Sequence, residues 1–167
     1  IPGHEWSGVV EAVGEGVDPA LAGRRCVAEN VLGDGGEVGF EHPGGYAECF
    51  LTEAANVQAL PDGFPFAVAT LIEPLAVCVR GLTRLGGVAE GRVLIFGDGP
   101  IGLLLVLLLA GRGREVALVG GRDGRLALAR ELGAQVADVD VHAARFLAAQ
   151  HRQRAGVDAE HGDALGG

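Results

Sequence analysis

The stretch Gly97-Asp98-Gly99-Pro100-Ile101-Gly102 carries the most explicit chemistry in this sequence. It matches G-x-G-x-x-G. The first glycine permits a tight turn, and the second lets backbone approach a pyrophosphate. The third lets helix and strand pack closely, and the helix N-terminus attracts the anion. The hexapeptide gains meaning from its context. Arg92 to Phe96 before it is a short apolar run suited to a buried parallel strand. Pro100 to about Ala110 after it reads as a helix, with Pro100 at the favourable first position. A second candidate is His4-Glu5, within Pro2-Gly3-His4-Glu5 and followed by Gly8 and Val9-Val10. A His-Glu pair is common by chance, so its surroundings decide its weight. A third is Glu73, within Leu71-Ile72-Glu73-Pro74-Leu75-Ala76.

The elements that must position these residues change character along the chain. Up to about residue 60, short strand-like runs alternate with glycine turns: Trp6 to Val13, Arg25 to Ala28, and Tyr46 to Thr52. That pattern predicts a small all-β barrel or sandwich. Near Phe66 the pattern becomes helical. Pro74 is expected to interrupt it and to push Glu73 towards an extended conformation. A helix then fits 75–85, with Leu75, Cys78, Val79, Leu82 and Leu85 on one face. Cys78 on that stripe reads as a small core residue.

Beyond the glycine turn, Glu115 to Val119 reads as a second parallel strand. Asp123 to Leu132 reads as a helix capped by Asp123 and stopped by Gly133. Gln135 to Val139 reads as a third strand. The fold class is therefore α/β with an all-β part: a β-barrel remnant, then the first half of a doubly wound parallel sheet. The expected boundaries are 1–74 for the β part and 75–155 for the nucleotide-binding part. One more helix is expected over 142–155, and a disordered tail over 156–167.

Composition narrows the classes. The 167 residues carry a net charge of −9, and all 13 basic residues are Arg. Without a basic stripe, no nucleic-acid partner is expected. Without Lys, Schiff-base chemistry has no candidate in this chain. The run Ile101 to Gly111 is shorter than the roughly 20 residues a bilayer span takes, so no membrane association is expected. Cys26, Cys49 and Cys78 are scattered, which suggests neither a disulfide framework nor a metal knuckle. A reducing, cytoplasmic location is the default. Met is absent, and the expectation is an internal piece of a longer chain.

The segment Pro2 to Gly14, PGHEWSGVVEAVG, resembles the catalytic zinc segment of the medium-chain dehydrogenase/reductase superfamily. LIEPLA, residues 71–76, resembles the segment joining the two domains in its sorbitol and threonine dehydrogenase-like members. GDGPIGLL resembles their cofactor turn. The three matches occur in the family's order and span about residues 1–140. The resemblance implies a GroES-like β domain followed by a Rossmann domain. It implies NAD(P)-dependent oxidation of a secondary alcohol or polyol, with one catalytic zinc as Lewis acid.

In that reading His4 is a direct zinc ligand through a neutral imidazole. Glu5 binds the metal or exchanges with its water, and Glu73 is a further carboxylate at the site. A catalytic zinc needs a few N, O or S ligands and one open position. Two departures follow from the residues present. A zinc Cys usual upstream of the GHE segment has no counterpart here, so weak zinc binding is expected of this chain by itself. The four closely spaced Cys of a structural lobe are also missing, so no structural zinc is expected. Cys26 and Cys49 read as packing residues within strand-like runs.

The cofactor reading turns on the end of the second strand, which runs into Gly120-Gly121-Arg122-Asp123. In NAD-specific domains an acid there takes the ribose hydroxyls. The family resemblance sets that acid near Gly121. Glycine leaves room for a bulkier group, and Arg122 beside it suits a 2′-phosphate. NADP is therefore favoured over NAD. The rival for Asp123 is ribose binding, set against its helix-capping role. The expected partner is a small alcohol or ketone; the oligomeric state of the parent is open, a homo-oligomer being one reading. Two other readings stay open: a zinc-free quinone or enoyl reductase, and a truncated chain with residual nucleotide binding.

Overall fold

The computed structural model describes residues 1–86 and 91–138. The helix expected over 142–155 and the tail 156–167 lie outside the described residues. The chain divides into two compact units, Ile1–Arg80 and Gly81–Gly167.

The first unit is built on an antiparallel sheet of three short strands: β1 (Gly8–Val9), β2 (Arg25–Ala28) and β3 (Val57–Ala59), in that order. Gly8 pairs with Cys26 on one side of β2, and Val27 pairs with Gln58 on the other. No barrel closes among the described residues. The strand expected over Tyr46 to Thr52 does not form. The backbone at its start bonds elsewhere: Gly45 N donates to Gly3 O at 2.8 Å, and Tyr46 N to Pro2 O at 3.0 Å. A strand needs a neighbour's ladder to satisfy its backbone, and Leu51 stays 88% exposed. Cys26 is buried as expected, whereas Cys49 is exposed and donates from Sγ to Glu11 Oε2 at 2.7 Å. Cys49 is therefore not a packing residue. The core gathers Val27, Leu60 and Ala69, with Phe64, Phe66 and Ile72 against them.

Two helices follow, α1 (Phe66–Ala69) and α2 (Ile72–Arg84). Glu73 lies inside α2 rather than in an extended break. Pro74 falls in the first helical turn, where N–H groups lack an intrahelical acceptor, so its missing proton costs nothing. The helix is already under way at Leu75, whose N donates to Leu71 O at 3.0 Å. Cys78 and Leu82 are buried on α2, while Val79 and Leu85, expected on the same face, are exposed. The run Phe66–Arg84 is 19 residues with hydropathy 1.5, enough to cross a membrane by length and composition. Turn residues 70 and 71 divide it, and Ala69 packs in the first unit's core as in a core helix.

The second unit alternates β4 (Arg92–Phe96), α3 (Pro100–Ala110), β5 (Glu115–Gly120), α4 (Asp123–Glu131) and β6 (Gln135–Asp138). The strands are parallel in the order β4-β5-β6. This is the start of a Rossmann-like sheet. Beyond Glu115, the central strand β5 is buried throughout. Leu82, Ile95, Val106, Leu109, Val116, Leu118 and Leu126 form the core. Although α3 is apolar nearly all round, Ile101 and Leu107 stand half exposed. Asp123 is the first residue of α4 and not its cap. Arg122 takes the cap position with no side-chain cap bond, since a guanidinium has no acceptor to offer the helix N–H groups. Gly133 ends the helix as expected, with φ +99°.

Candidate active site

In the first unit the local fold fixes the orientation of His4. Gly44 N donates to Ile1 O and Gly45 N to Gly3 O, both at 2.8 Å, which ties residues 1–3 to the Pro43-Gly44-Gly45 turn. Gly3 has φ +116°, and a Cβ there would lie 2.7 Å from Gly45 N, so glycine is required. Asn30, only 4% exposed, donates from Nδ2 to His4 O at 2.7 Å and accepts from Trp6 Nε1 at 2.8 Å. The His4 ring stands edge-on to Phe40.

Nδ1 of His4 lies 2.7 Å from Val38 O. A carbonyl only accepts, so Nδ1 carries the proton and donates. In the neutral ring Nε2 then keeps its lone pair. Nε2 faces Glu73 Oε1 at 3.5 Å, from the first turn of α2. Burial pushes the Glu73 carboxyl up, His4 opposes that shift, and the charges of Glu5 and Glu29 add to it.

Two electron-rich atoms thus converge, and they fit a zinc ion. Two ligands on one tetrahedral zinc, each about 2.0–2.1 Å out, stand roughly 3.4 Å apart. The backbone acceptor on Nδ1 is also the usual companion of a metal-bound histidine. Both residues line a recess of about 480 Å³ with Trp6, Glu29, Asn30 and Arg80. Glu5 is exposed and acts on Glu73 through its charge. Among the described residues, no group of three or more His, Cys, Asp or Glu gathers as a metal cluster.

In the second unit the glycine turn connects β4 to α3. Gly97 has φ +106° and donates from N to Val119 O at 2.8 Å. A Cβ on Gly102 would run into the Gly97 carbonyl, whereas one on Gly99 would meet nothing within 4 Å. The three glycines are thus needed for different reasons: backbone angle, packing, and open space in front of the helix. Gly99 caps α3, Pro100 is its first residue, and Ile101 follows half exposed. An open N-terminus of this kind fits a pyrophosphate.

Gly121 and Arg122 follow β5 and are both exposed. Arg122 donates from Nη2 to Asp98 Oδ1 at 2.7 Å, from Nε to the same oxygen at 3.1 Å, and from its backbone N to Oδ2 at 2.8 Å. The Asp98 side chain is 5% exposed. Its carboxyl is held below the usual carboxylate range, first by the Arg122 side-chain hydrogen bond.

Sequence reasoning missed Asn30, Val38 and Asp98 as supports. For Asp98 a signal existed: a carboxylate inside the glycine turn and an arginine just past the next strand share one edge of a parallel sheet. For Val38 the contact is through a carbonyl, which residue type does not reveal.

Fold and site together define a GroES-like β unit followed by the beginning of a dinucleotide-binding sheet. Residues 1–62 match the family profile described as the alcohol dehydrogenase GroES-like domain. The chain is 37% identical to D-altritol 5-dehydrogenase of Agrobacterium fabrum, with 82% of this chain and 47% of that protein covered. Its fold superposes on an alcohol dehydrogenase (rspB) from Escherichia coli CFT073 in complex with NADH. The TM-score is 0.81 at 28% identity, covering 90% of this chain and 50% of that one. An NADP-bound dehydrogenase structure from Sinorhizobium meliloti 1021 gives a TM-score of 0.73 at 29% identity, covering 83% and 45%. The chain belongs to the alcohol dehydrogenase branch of the medium-chain dehydrogenase/reductase family. It spans about half the length of the curated relatives it matches.

Proposed function

We propose that the protein carrying this chain is an NAD(P)-linked dehydrogenase of small alcohols or polyols. It uses one zinc, held here by His4 and Glu73 with Glu5 beside them, and NADP in preference to NAD. The observation that carries the reading is the convergence of His4 Nε2 and Glu73 Oε1, on a ring whose other nitrogen is committed to Val38 O. Similarity to a polyol dehydrogenase supports the substrate class.

When bound, zinc supplies the Lewis acidity that lowers the pKa of a substrate hydroxyl. The chain's own residues do the rest of the local work. The Val38 carbonyl keeps the His4 proton on Nδ1 and the lone pair on Nε2. Glu73 contributes negative charge, and Glu5 and Glu29 add to the anionic character of the recess. Gly97, Gly99 and Gly102, with Pro100 and Ile101, form the pyrophosphate turn. Gly121 leaves room beside the ribose, and Arg122 takes the 2′-phosphate. In the net reaction the alcohol carbon gives a hydride to the nicotinamide, the hydroxyl proton goes to solvent, and the C–O bond becomes a carbonyl.

The test is elemental analysis of the purified protein, together with reduction of NADP by a panel of secondary alcohols and polyols. His4→Ala and Glu73→Ala are each expected to lower zinc affinity by about tenfold or more, and alcohol oxidation with it. Oxidation that survives both substitutions and complete chelation sinks the zinc reading.

A further inference from the structure

We propose that Asp98 is a positioning residue for the cofactor's 2′-phosphate. It holds the Arg122 guanidinium at the carboxyl edge of β4 and β5, with its unbonded edge turned to solvent. The inference rests on the NADP reading above and concerns what makes Arg122 fit for that role.

Asp98 and Arg122 sit on the loops leaving two adjacent parallel strands, the edge where such sheets bind ligands. The two partners are unequally exposed: the Asp98 side chain 5%, the Arg122 side chain 60%. The carboxylate is thus the buried anchor and the guanidinium the presented group. Both Asp98 oxygens are engaged, Oδ1 by the guanidinium and Oδ2 by the Arg122 backbone N–H. A guanidinium has five N–H donors. Two go to Asp98 Oδ1, which leaves the rest free for an anion. Arg125 reinforces the corner, with Nη1 3.4 Å from the Asp98 carbonyl.

Two consequences follow. Asp98 itself cannot serve as the acid that grips a ribose diol, because it is buried and its oxygens are spoken for. A long surface arginine that is already immobilised also loses less rotamer freedom when it binds phosphate. The arrangement needs Gly120 as well. A Cβ there would lie 2.6 Å from Asp98 Cβ and 2.8 Å from its Cγ, so any side chain would evict the carboxylate.

The experiment is calorimetric binding of NADP, NAD, 2′-AMP and 5′-AMP to the protein carrying this chain, as wild type, Asp98→Ala, Asp98→Asn, Arg122→Ala and the double alanine variant. Arg122→Ala is expected to cut the NADP-over-NAD preference by about tenfold, in line with loss of a charge-assisted phosphate contact. Asp98→Ala should cut it by a similar factor, with the same loss in the 2′-AMP to 5′-AMP ratio. The double variant should lose no more than either single one, the signature of residues acting as a unit. Asp98→Asn keeps an acceptor for Nε and Nη2 and should recover part of the preference. An Asp98→Ala protein that weakens all four ligands equally has lost structure and not aim, and overturns the proposal. So does one that keeps its preference while Arg122→Ala loses it. If the wild type binds NAD as well as NADP and Arg122→Ala changes nothing, the NADP reading itself fails.

Discussion

Asn30 and His4 are joined by a hydrogen bond from the buried Asn30 Nδ2 to the His4 carbonyl, 2.7 Å long, while Asn30 Oδ1 receives the indole N–H of Trp6. One short side chain just beyond β2 therefore holds the His4 carbonyl on one side of Glu5 and the Trp6 indole on the other. Together with the Nδ1 contact to Val38 O, the bond to its carbonyl holds the His4 ring where Nε2 faces Glu73.

Replacing Asn30 by Ala removes both bonds and strands the Trp6 indole N–H and the His4 carbonyl. A buried polar group left unpaired costs about 1–3 kcal/mol. The Asn30→Ala protein should lose about that much stability in chemical unfolding. Zinc affinity should fall by roughly 10–100-fold, as for other residues that orient a metal ligand. Unchanged unfolding with unchanged zinc uptake would show that His4 is held by the rest of its surroundings.

Gly102 and Gly99 should respond in opposite ways to the same substitution. Gly102→Ala drives a methyl group into the Gly97 carbonyl, against which helix and strand are packed. Overpacking of this kind costs about 1–3 kcal/mol, to be read as a lower unfolding midpoint. Gly99→Ala meets open space, so the midpoint should hold while dinucleotide affinity falls, because the new Cβ stands where the pyrophosphate approaches. Equal thermal shifts in the two variants would show that Gly99 and Gly102 are constrained alike.

The Asp98–Arg122 pair sets an acid dependence. Arg122 holds the Asp98 carboxyl below its ordinary range. Between the lowered folded value and the ordinary unfolded one, the unfolded chain binds more protons, so stability falls as pH falls. The contribution is fully present above the ordinary value, near pH 4, and disappears below the folded one. The stability difference between wild type and Asp98→Asn should therefore be flat from neutral pH down to about pH 5 and shrink on further acidification. A difference that grows towards acid would reverse the assignment.

Much of the second unit is written in local sequence. The apolar run 92–96, the glycine turn, Pro100 at a helix start and Gly133 at a helix end are short-range signals. The elements they predict match the structure to within a residue or so. Glycine and proline set backbone angles at their own positions, and an apolar run marks a strand by composition, so these element boundaries are readable from residue type.

The first unit was less legible, because its strands depend on partners distant in sequence. Tyr46 to Thr52 has strand composition, but the backbone at its start is taken by Pro2 and Gly3. Pro74 carries a break signal that is cancelled once the helix is found to begin two residues earlier.

The same division runs through the two candidate sites. The types His4, Glu73, Gly99 and Arg122 were readable as chemistry. That Glu73 faces His4 at 3.5 Å, that Val38 O fixes the ring's tautomer, and that Asp98 grips Arg122 were decided only by tertiary structure. Each of those contacts joins groups far apart in the chain. No local periodicity encodes them, and only the packed sheets and helices bring them within bonding distance.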